Sequence, residues 1–343
     1  MANIYDVAKR ARVSVATVSA VVNNSSYVSP ALCEKVKSAM SELHYSPNLL
    51  ARSLALNKSH TIGVLIPDIA NPFYPEVVRG VEDKATEVHY TMILGSSDNQ
   101  LAKEEVYLNL FLSKRVDGIV LVKAVGEMSA ALCEKIRHAG PPIVLMGREY
   151  PHLQADTVVG DDCGGAYAAV LHLIKLGHRR IGLLAGIPGA STTVGRTQGY
   201  RKALESKGVR YDPALVAYGD YAIQSGFKAS LRLLEQNPTA VFVANDLMTI
   251  GFMKALGNKG LRCPNDIAVV SYDDGIRNEV FLPKLTCVEQ PKYMLGYRSA
   301  ELLFGRILGK HKRPKFEVLK NRLRPRESCG RMLSHRASEA RDE

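Results

Sequence analysis

The 343-residue chain lacks most of the patterns that carry covalent chemistry. Its six cysteines, at 33, 133, 163, 263, 287 and 329, form no CxxC pair and have no histidine cluster beside them, which argues against a zinc site and a disulfide framework. The nearest approach to a phosphate loop, GASTTVGRT at 189–197, has five residues between its glycines and carries Arg196 where such a loop needs lysine. No GxGxxG opens the first strand–helix unit and no serine elbow follows a strand, so the sequence points away from an enzyme and calls for no cofactor and no metal. No apolar run reaches the length needed to span a bilayer, and the first residues do not resemble a signal peptide. A cytoplasmic protein without a membrane partner is the expectation.

What the chain does have is charge at its ends. Residues 1–60 carry 7 Lys/Arg against 3 Asp/Glu, residues 306–343 carry 12 against 5, and the stretch between carries 26 of each. A neutral middle with basic ends suggests nucleic-acid contact at one end, because attraction to phosphates supplies most sequence-independent DNA affinity. The C-terminal excess reads as a solvated edge and tail. The length suits two or three domains.

The N-terminal end has the stronger pattern. Asn3 is placed to cap a helix over Ile4–Ala11, with Val7 and Ala8 inward, and Ser14 to cap a second over Val15–Asn23. That second helix turns Val18 and Val21 or Val22 inward and leaves Val15, Ala16, Thr17, Ser19 and Ala20 near an outer face. Ser29-Pro30 starts a third helix running to about His44. The three make a helix-turn-helix headpiece over 1–46, able to lay its second helix in a major groove. NLLARSLAL at 48–56 reads as a short hinge helix within a 47–60 segment, too short to be stable alone.

From Thr61 onward short apolar runs alternate with amphipathic ones. TIGVLIP, YTMILGSS, DGIVLV, PPIVLMG, RIGLLAG, AVFVAND and IAVVSYDD are uniformly apolar, as strands buried on both faces must be, and they predict parallel sheets of strand–helix–strand units. The stretch is too long for one such sheet. A bilobal α/β core over 61–330 is expected, with lobe 1 at about 61–160 and 290–325, lobe 2 at about 161–289, and a disordered tail at 331–343. Ligands in such folds sit beyond the carboxyl ends of the strands.

The order of parts resembles the lactose-repressor family of bacterial transcription regulators. The resemblance rests on YDVAKRARVSVATVS and VVNN in the headpiece, YSPNLLARSL in the hinge, and IPDIANPFYPEVVRGVE, KRVDGIVL, GHRRIGLLAG, GRTQGYRKAL, VFVANDLMTIG, DIAVVSYDD and LTCVEQP in the core. It implies a headpiece joined to a periplasmic-binding-protein-like core. It also implies a homodimer on a double-stranded palindromic operator, and a small-molecule effector whose binding changes operator affinity, most often repressing transcription. Val15, Ala16 and Ala20 fall at the family's base-reading positions. Family members commonly have arginine where Ala20 stands, and a methyl group cannot pair with guanine as a guanidinium does. Tyr5, Ser14, Thr17, Ser19 and Asn23 are candidates for phosphate contact, and Leu54 stands where relatives push a leucine into the minor groove.

In the core the resemblance places Arg196 and Asp273 in an effector cleft. A carboxylate accepting two hydroxyls and a guanidinium offering paired donors would suit a carbohydrate. Asn245 adds an amide, and Phe73, Tyr74 and Tyr221 offer flat faces for a sugar ring or a base. Arg148, after Gly147, and Lys292 suggest a cleft with more positive than negative charge and therefore a sugar acid or phosphosugar. The tail has no leucine heptad to build a coiled coil, which favours a dimer over a tetramer.

Overall fold

The computed structural model describes residues 2–23, 26–45, 58–275 and 282–330. Two units pack independently, Met1–Ser59 and His60–Glu343. The expected hinge helix, Leu54 within it, and the 331–343 tail lie outside the described residues.

The first unit holds α1 (Ile4–Ala11), α2 (Val15–Asn23) and α3 (Pro30–Glu42). Asn3 starts α1 because its Oδ1 accepts from the amides of Tyr5 (2.9 Å) and Asp6 (3.1 Å), while Asp6 Oδ2 accepts from the Asn3 amide at 2.9 Å. This reciprocal box satisfies backbone donors that have no partner within the helix. Arg12, left-handed at φ 56°, closes the helix. Ser14 Oγ then accepts from the Thr17 amide at 3.1 Å, capping α2. Val7, Ala8, Ala11, Val18, Val36 and Ala39 form a small core, and Arg10 Nε donates to Glu42 at 2.6 Å to tie α1 to α3.

The described residues of the second unit form two six-stranded sheets. In the first, β1 (Thr61–Ile66), β2 (Thr91–Ser96), β3 (Gly118–Leu121), β4 (Ile143–Met146), β5 (Asp156–Gly160) and β11 (Phe316–Leu319) run in the order β11-β5-β4-β3-β1-β2. In the second, β6 (Ile181–Ala185), β7 (Val216–Tyr218), β8 (Ala240–Val243), β9 (Ala268–Tyr272), β10 (Thr286–Glu289) and β12 (Arg322–Arg324) run β12-β10-β9-β8-β6-β7. Helices α4 (Phe73–Glu87), α5 (Leu101–Ser113), α6 (Ala130–Ala139) and α11 (Lys292–Ile307) cover the first sheet. Helices α7 (Asp162–Lys175), α8 (Ser191–Glu205), α9 (Ile223–Leu234) and α10 (Asp246–Asn258) cover the second. Each sheet has a hydrophobic cluster on both faces, which is why its central strands read as unbroken apolar runs. Helices α4 and α11 cross at glycines. A Cβ on Gly296 would run into the Val77 carbonyl, and one on Gly80 into the Tyr293 carbonyl.

The chain crosses between the lobes three times, after Gly160, after Gln290 and between Leu319 and Arg322. The third crossing corrects the expected boundary, which kept everything from 290 to 325 in the first lobe. Strand β12 instead pairs antiparallel with β10, Cys287 opposite Arg324 and Glu289 opposite Arg322, and Arg324 Nε donates to Glu289 at 2.7 Å. Two residues after β11 are enough to bring the chain into the other sheet. The second lobe is therefore parallel except at this edge.

Candidate functional site

On the headpiece, the candidate DNA-facing residues do not share one exposure. Ala16 and Ser14 are exposed, Tyr5 is 70% exposed, and Thr17 and Ser19 are half-buried. Val15 packs against the headpiece core. Ala20 corrects the expected outer face. It follows Ala16 by four residues on the same side of α2, but its methyl reaches only one bond from the backbone and just 9% of the residue is exposed. Ser14 and Thr17 also share a side-chain hydrogen bond at 2.9 Å, so the cap holds both hydroxyls at the start of the helix. The Asn23 side chain lies outside the described residues.

In the second unit, Phe73, Tyr74, Arg148, Arg196, Tyr221, Asn245 and Asp273 all line one cavity of about 330 Å³. The strand ends supply its polar wall. Asp68 and Asn71 follow β1, Asp98 and Asn99 follow β2, Arg148 follows β4, Asp220 follows β7, Asn245 precedes α10, and Asp273 follows β9. Phe73 and Tyr74, at the start of α4, meet edge to face with centroids 5.2 Å apart. Burial pushes the Tyr74 hydroxyl up to about 12, so it stays protonated and can donate.

Arg196 is held from three sides. Its Nε donates to Asp162 at 2.7 Å, its Nη1 donates to the Ala244 carbonyl, and its guanidinium lies over the Tyr272 ring at 3.8 Å. Burial opposes its charge, but the Asp162 carboxylate, with Tyr272, Asp273 and Tyr221, keeps its pKa above the ordinary value. Burial raises that of Asp162, against the pull of Arg196. The partner of Arg196 is thus Asp162, in the first turn of α7, while Asp273 Oδ1 accepts from Gln290 Nε2 at 2.5 Å. Asp273 sits at φ 71°, a left-handed conformation that aspartate tolerates better than most residues.

Asn245 is more constrained than its amide suggested. Its Oδ1 caps α10 through the Met248 amide at 2.9 Å and its Nδ2 donates to the Tyr221 carbonyl at 3.1 Å. Tyr221 is fixed at both ends, its hydroxyl lying 2.9 Å from Thr192 Oγ1 and 2.7 Å from Thr193 Oγ1. A Cβ on Gly186 would collide with its ring.

Arg148 turns inward, because Gly147 at φ 70° redirects the chain after β4. It is 7% exposed and donates to Asn99 Oδ1 at 2.6 Å and to the Lys123 carbonyl at 2.8 Å. Among the described residues the expected excess of positive charge is nevertheless absent from the wall. Four carboxylates, Asp68, Asp98, Asp220 and Asp273, face two guanidiniums, Arg148 and Arg196. Lys292 does not line the cavity. Its Nζ donates to the Asp274 carbonyl at 2.6 Å and faces Glu76 at 3.8 Å. Asp68, Asp98 and Asp220 escaped the sequence reading, although Asp68 and Asp98 follow β1 and β2, two strands legible as apolar runs, at the ends where ligands of such folds bind. Among the described residues no His/Cys/Asp/Glu group is arranged to hold a metal, and no helix is long and apolar enough to cross a membrane.

Residues 3–48 match the model described as bacterial regulatory proteins, lacI family, and residues 170–329 match the periplasmic binding protein-like domain. The chain is 37% identical over 331 residues to the HTH-type transcriptional repressor PurR of Escherichia coli, covering 96% of this chain and 97% of that one. It belongs to the lacI family of bacterial transcriptional regulators. The lac repressor dimer bound to operator and the anti-inducer ONPF shares the repressor's fold with a TM-score of 0.85 at 30% identity, over 96% of this chain and 99% of the other. The transcriptional regulator CelR in complex with cellobiose gives 0.74 at 36% identity, over 96% and 100%. The repressor is therefore built from a DNA-binding headpiece and an effector-binding core, and it is not an enzyme.

Proposed function

We propose that this repressor acts in the cytoplasm as a homodimer on a palindromic operator. Its effector is a neutral, hydroxyl-rich carbohydrate of one or two rings, bound in the cavity between the lobes. The observation that carries the reading is the wall itself. Carboxylates at the strand ends accept hydroxyl protons, Arg196 is fixed as a donor, and Phe73, Tyr74 and Tyr221 offer apolar faces to a ring. A volume of about 330 Å³ suits a small ligand. The surplus of carboxylates disfavours the sugar acid that the sequence suggested. CelR, at 36% identity, is described in complex with cellobiose.

On the DNA side, Ala16 is the exposed residue of the three base-reading candidates. Val15, Ala16 and Ala20 offer no side-chain donor to a base edge, so selectivity depends more on Leu54, on DNA deformability and on dimer spacing. Tyr5, Ser14, Thr17, Ser19 and Asn23 hold phosphates. Effector and operator binding are reciprocally linked through lobe closure.

A thermal-shift screen of the full chain against ribose, glucose, cellobiose, glucuronate and purine bases tests the effector class. Stabilisation by a neutral sugar, with none from glucuronate, is expected. A response confined to glucuronate or to a base would overturn the carbohydrate reading. Operator selection from a random library, with and without the ligand so found, then reports the half-site and the sign of control.

A further inference from the structure

The three crossings converge on two side-chain amides. A Cβ on Gly160, at the first crossing, would stand 2.7 Å from Gln290 Oε1 of the second and 3.2 Å from Asn321 Oδ1 of the third. Glycine there leaves room for the two amides beside each other. Both are anchored on the end of β9. Gln290 Nε2 donates to Asp273 Oδ1 at 2.5 Å, and Asn321 Nδ2 donates to the Tyr272 hydroxyl at 2.6 Å. Tyr272 lies under Arg196, and Asp273 lines the cavity. One group is left over. Asn321 Oδ1 is buried with no hydrogen-bond partner. A buried acceptor without a donor is costly and uncommon.

We infer that Gln290 and Asn321 are positioning residues that transmit cavity occupancy to the angle between the lobes, by Gln290 exchanging its acceptor from Asp273 to Asn321. This rests on the cavity being the effector site. A ligand hydroxyl donating to Asp273 Oδ1, the oxygen that Gln290 uses, competes with Gln290 there. Once released, the Gln290 amide has a vacant acceptor on the neighbouring crossing. The exchange unties the second crossing from β9 and ties it to the third, so the hinge segments move with each other instead of with the second lobe. A ligand hydroxyl on Asp273 thus favours one set of bonds over the other, the differential interaction that any ligand-driven change requires.

The test needs no ligand. Removing the Asp273 acceptor should release Gln290 as a ligand would, and Asp273→Gly does so with a residue suited to the left-handed backbone. In the full chain, ketone-bearing residues at the exposed positions Glu134 in α6 and Lys202 in α8 carry spin labels. Labelled chains are diluted with unlabelled ones, and pulsed electron resonance gives the distance between lobes. Asp273→Gly is expected to move the mean distance by on the order of 2 Å or more, a lobe rearrangement beyond side-chain adjustment. Adding Asn321→Ala should reverse most of that shift, while Asn321→Ala alone should change little. Gln290→Met, which lacks the donor, should make the distance indifferent to Asp273→Gly, and thermal melts confirm that each variant folds. An unchanged distance in Asp273→Gly, or a shift that Asn321→Ala leaves intact, overturns the inference. Failure of every small molecule to bind the wild-type chain would instead remove the effector reading and leave these distances to judge the hinge.

Discussion

Replacing Arg196 with methionine tests the electrostatics of the cavity. The change keeps most of the side-chain volume and its contact with Tyr272, but strands Asp162, whose side chain is 12% exposed. Breaking a buried ion pair from one side costs about 3–5 kcal/mol. Asp162 can avoid part of that cost by taking up a proton. Its pKa is already raised by burial, and the loss of Arg196 removes the main opposing influence. A carboxyl whose folded pKa exceeds its unfolded one binds the proton more tightly when folded. Its stabilising contribution is therefore present at low pH and is lost as pH rises from the ordinary value of 3.8 to the folded pKa, at up to about 1.4 kcal/mol per pH unit. Urea unfolding of Arg196→Met and wild type, followed by circular dichroism at pH 5.5 and pH 8, should give a larger deficit at pH 8. The double variant Arg196→Met with Asp162→Leu should recover most of the loss, since an apolar replacement of a buried pair is often neutral. A deficit equal at the two pH values, or a double variant less stable than Arg196→Met alone, would refute this account.

Two further outcomes follow from local geometry. Asn3→Ala removes the acceptor for the Tyr5 and Asp6 amides and should cost the headpiece about 1 kcal/mol, read as a lower melting temperature of residues 1–59 and weaker operator binding, with ligand binding untouched. Gly296→Ala forces α11 away from the Val77 carbonyl and should destabilise the first lobe by about 1–3 kcal/mol, as overpacking does; a chemical melt matching wild type would contradict the close crossing of α4 and α11.

Seven of the twelve strands among the described residues are legible as apolar runs because both faces of their sheets are covered. The others have a weaker imprint. Strand β5 opens with a charged residue, Asp156, which is buried where Arg306 at the end of α11, His311 and the Lys315 amide meet it. Strand β11 lies at a sheet edge with Phe316 58% and Val318 51% exposed, and β12 is three residues of mixed polarity. In the cavity, residues after clear strands can be located by position, but their bonding cannot. Asp162 and Arg196 are 34 residues apart on different helices, and no spacing rule joins them. Whether Arg148 faces inward depends on the left-handed turn at Gly147, and the low exposure of Ala20 depends on how α2 packs in the headpiece.

The alternating allegiance of β11 and β12 has a consequence for synthesis. One completes the first sheet and the other the second, so the first lobe lacks its last described strand until residue 319 has been made and the second until residue 324. The headpiece core, by contrast, is present once Ala39 has emerged. At about 5–20 residues per second, the interval between them is roughly 15–60 s. During it, each nascent chain presents a foldable DNA-binding unit attached to an unfinished sensor. Translation speed over the core thus becomes a variable in how soon a new molecule can answer its effector.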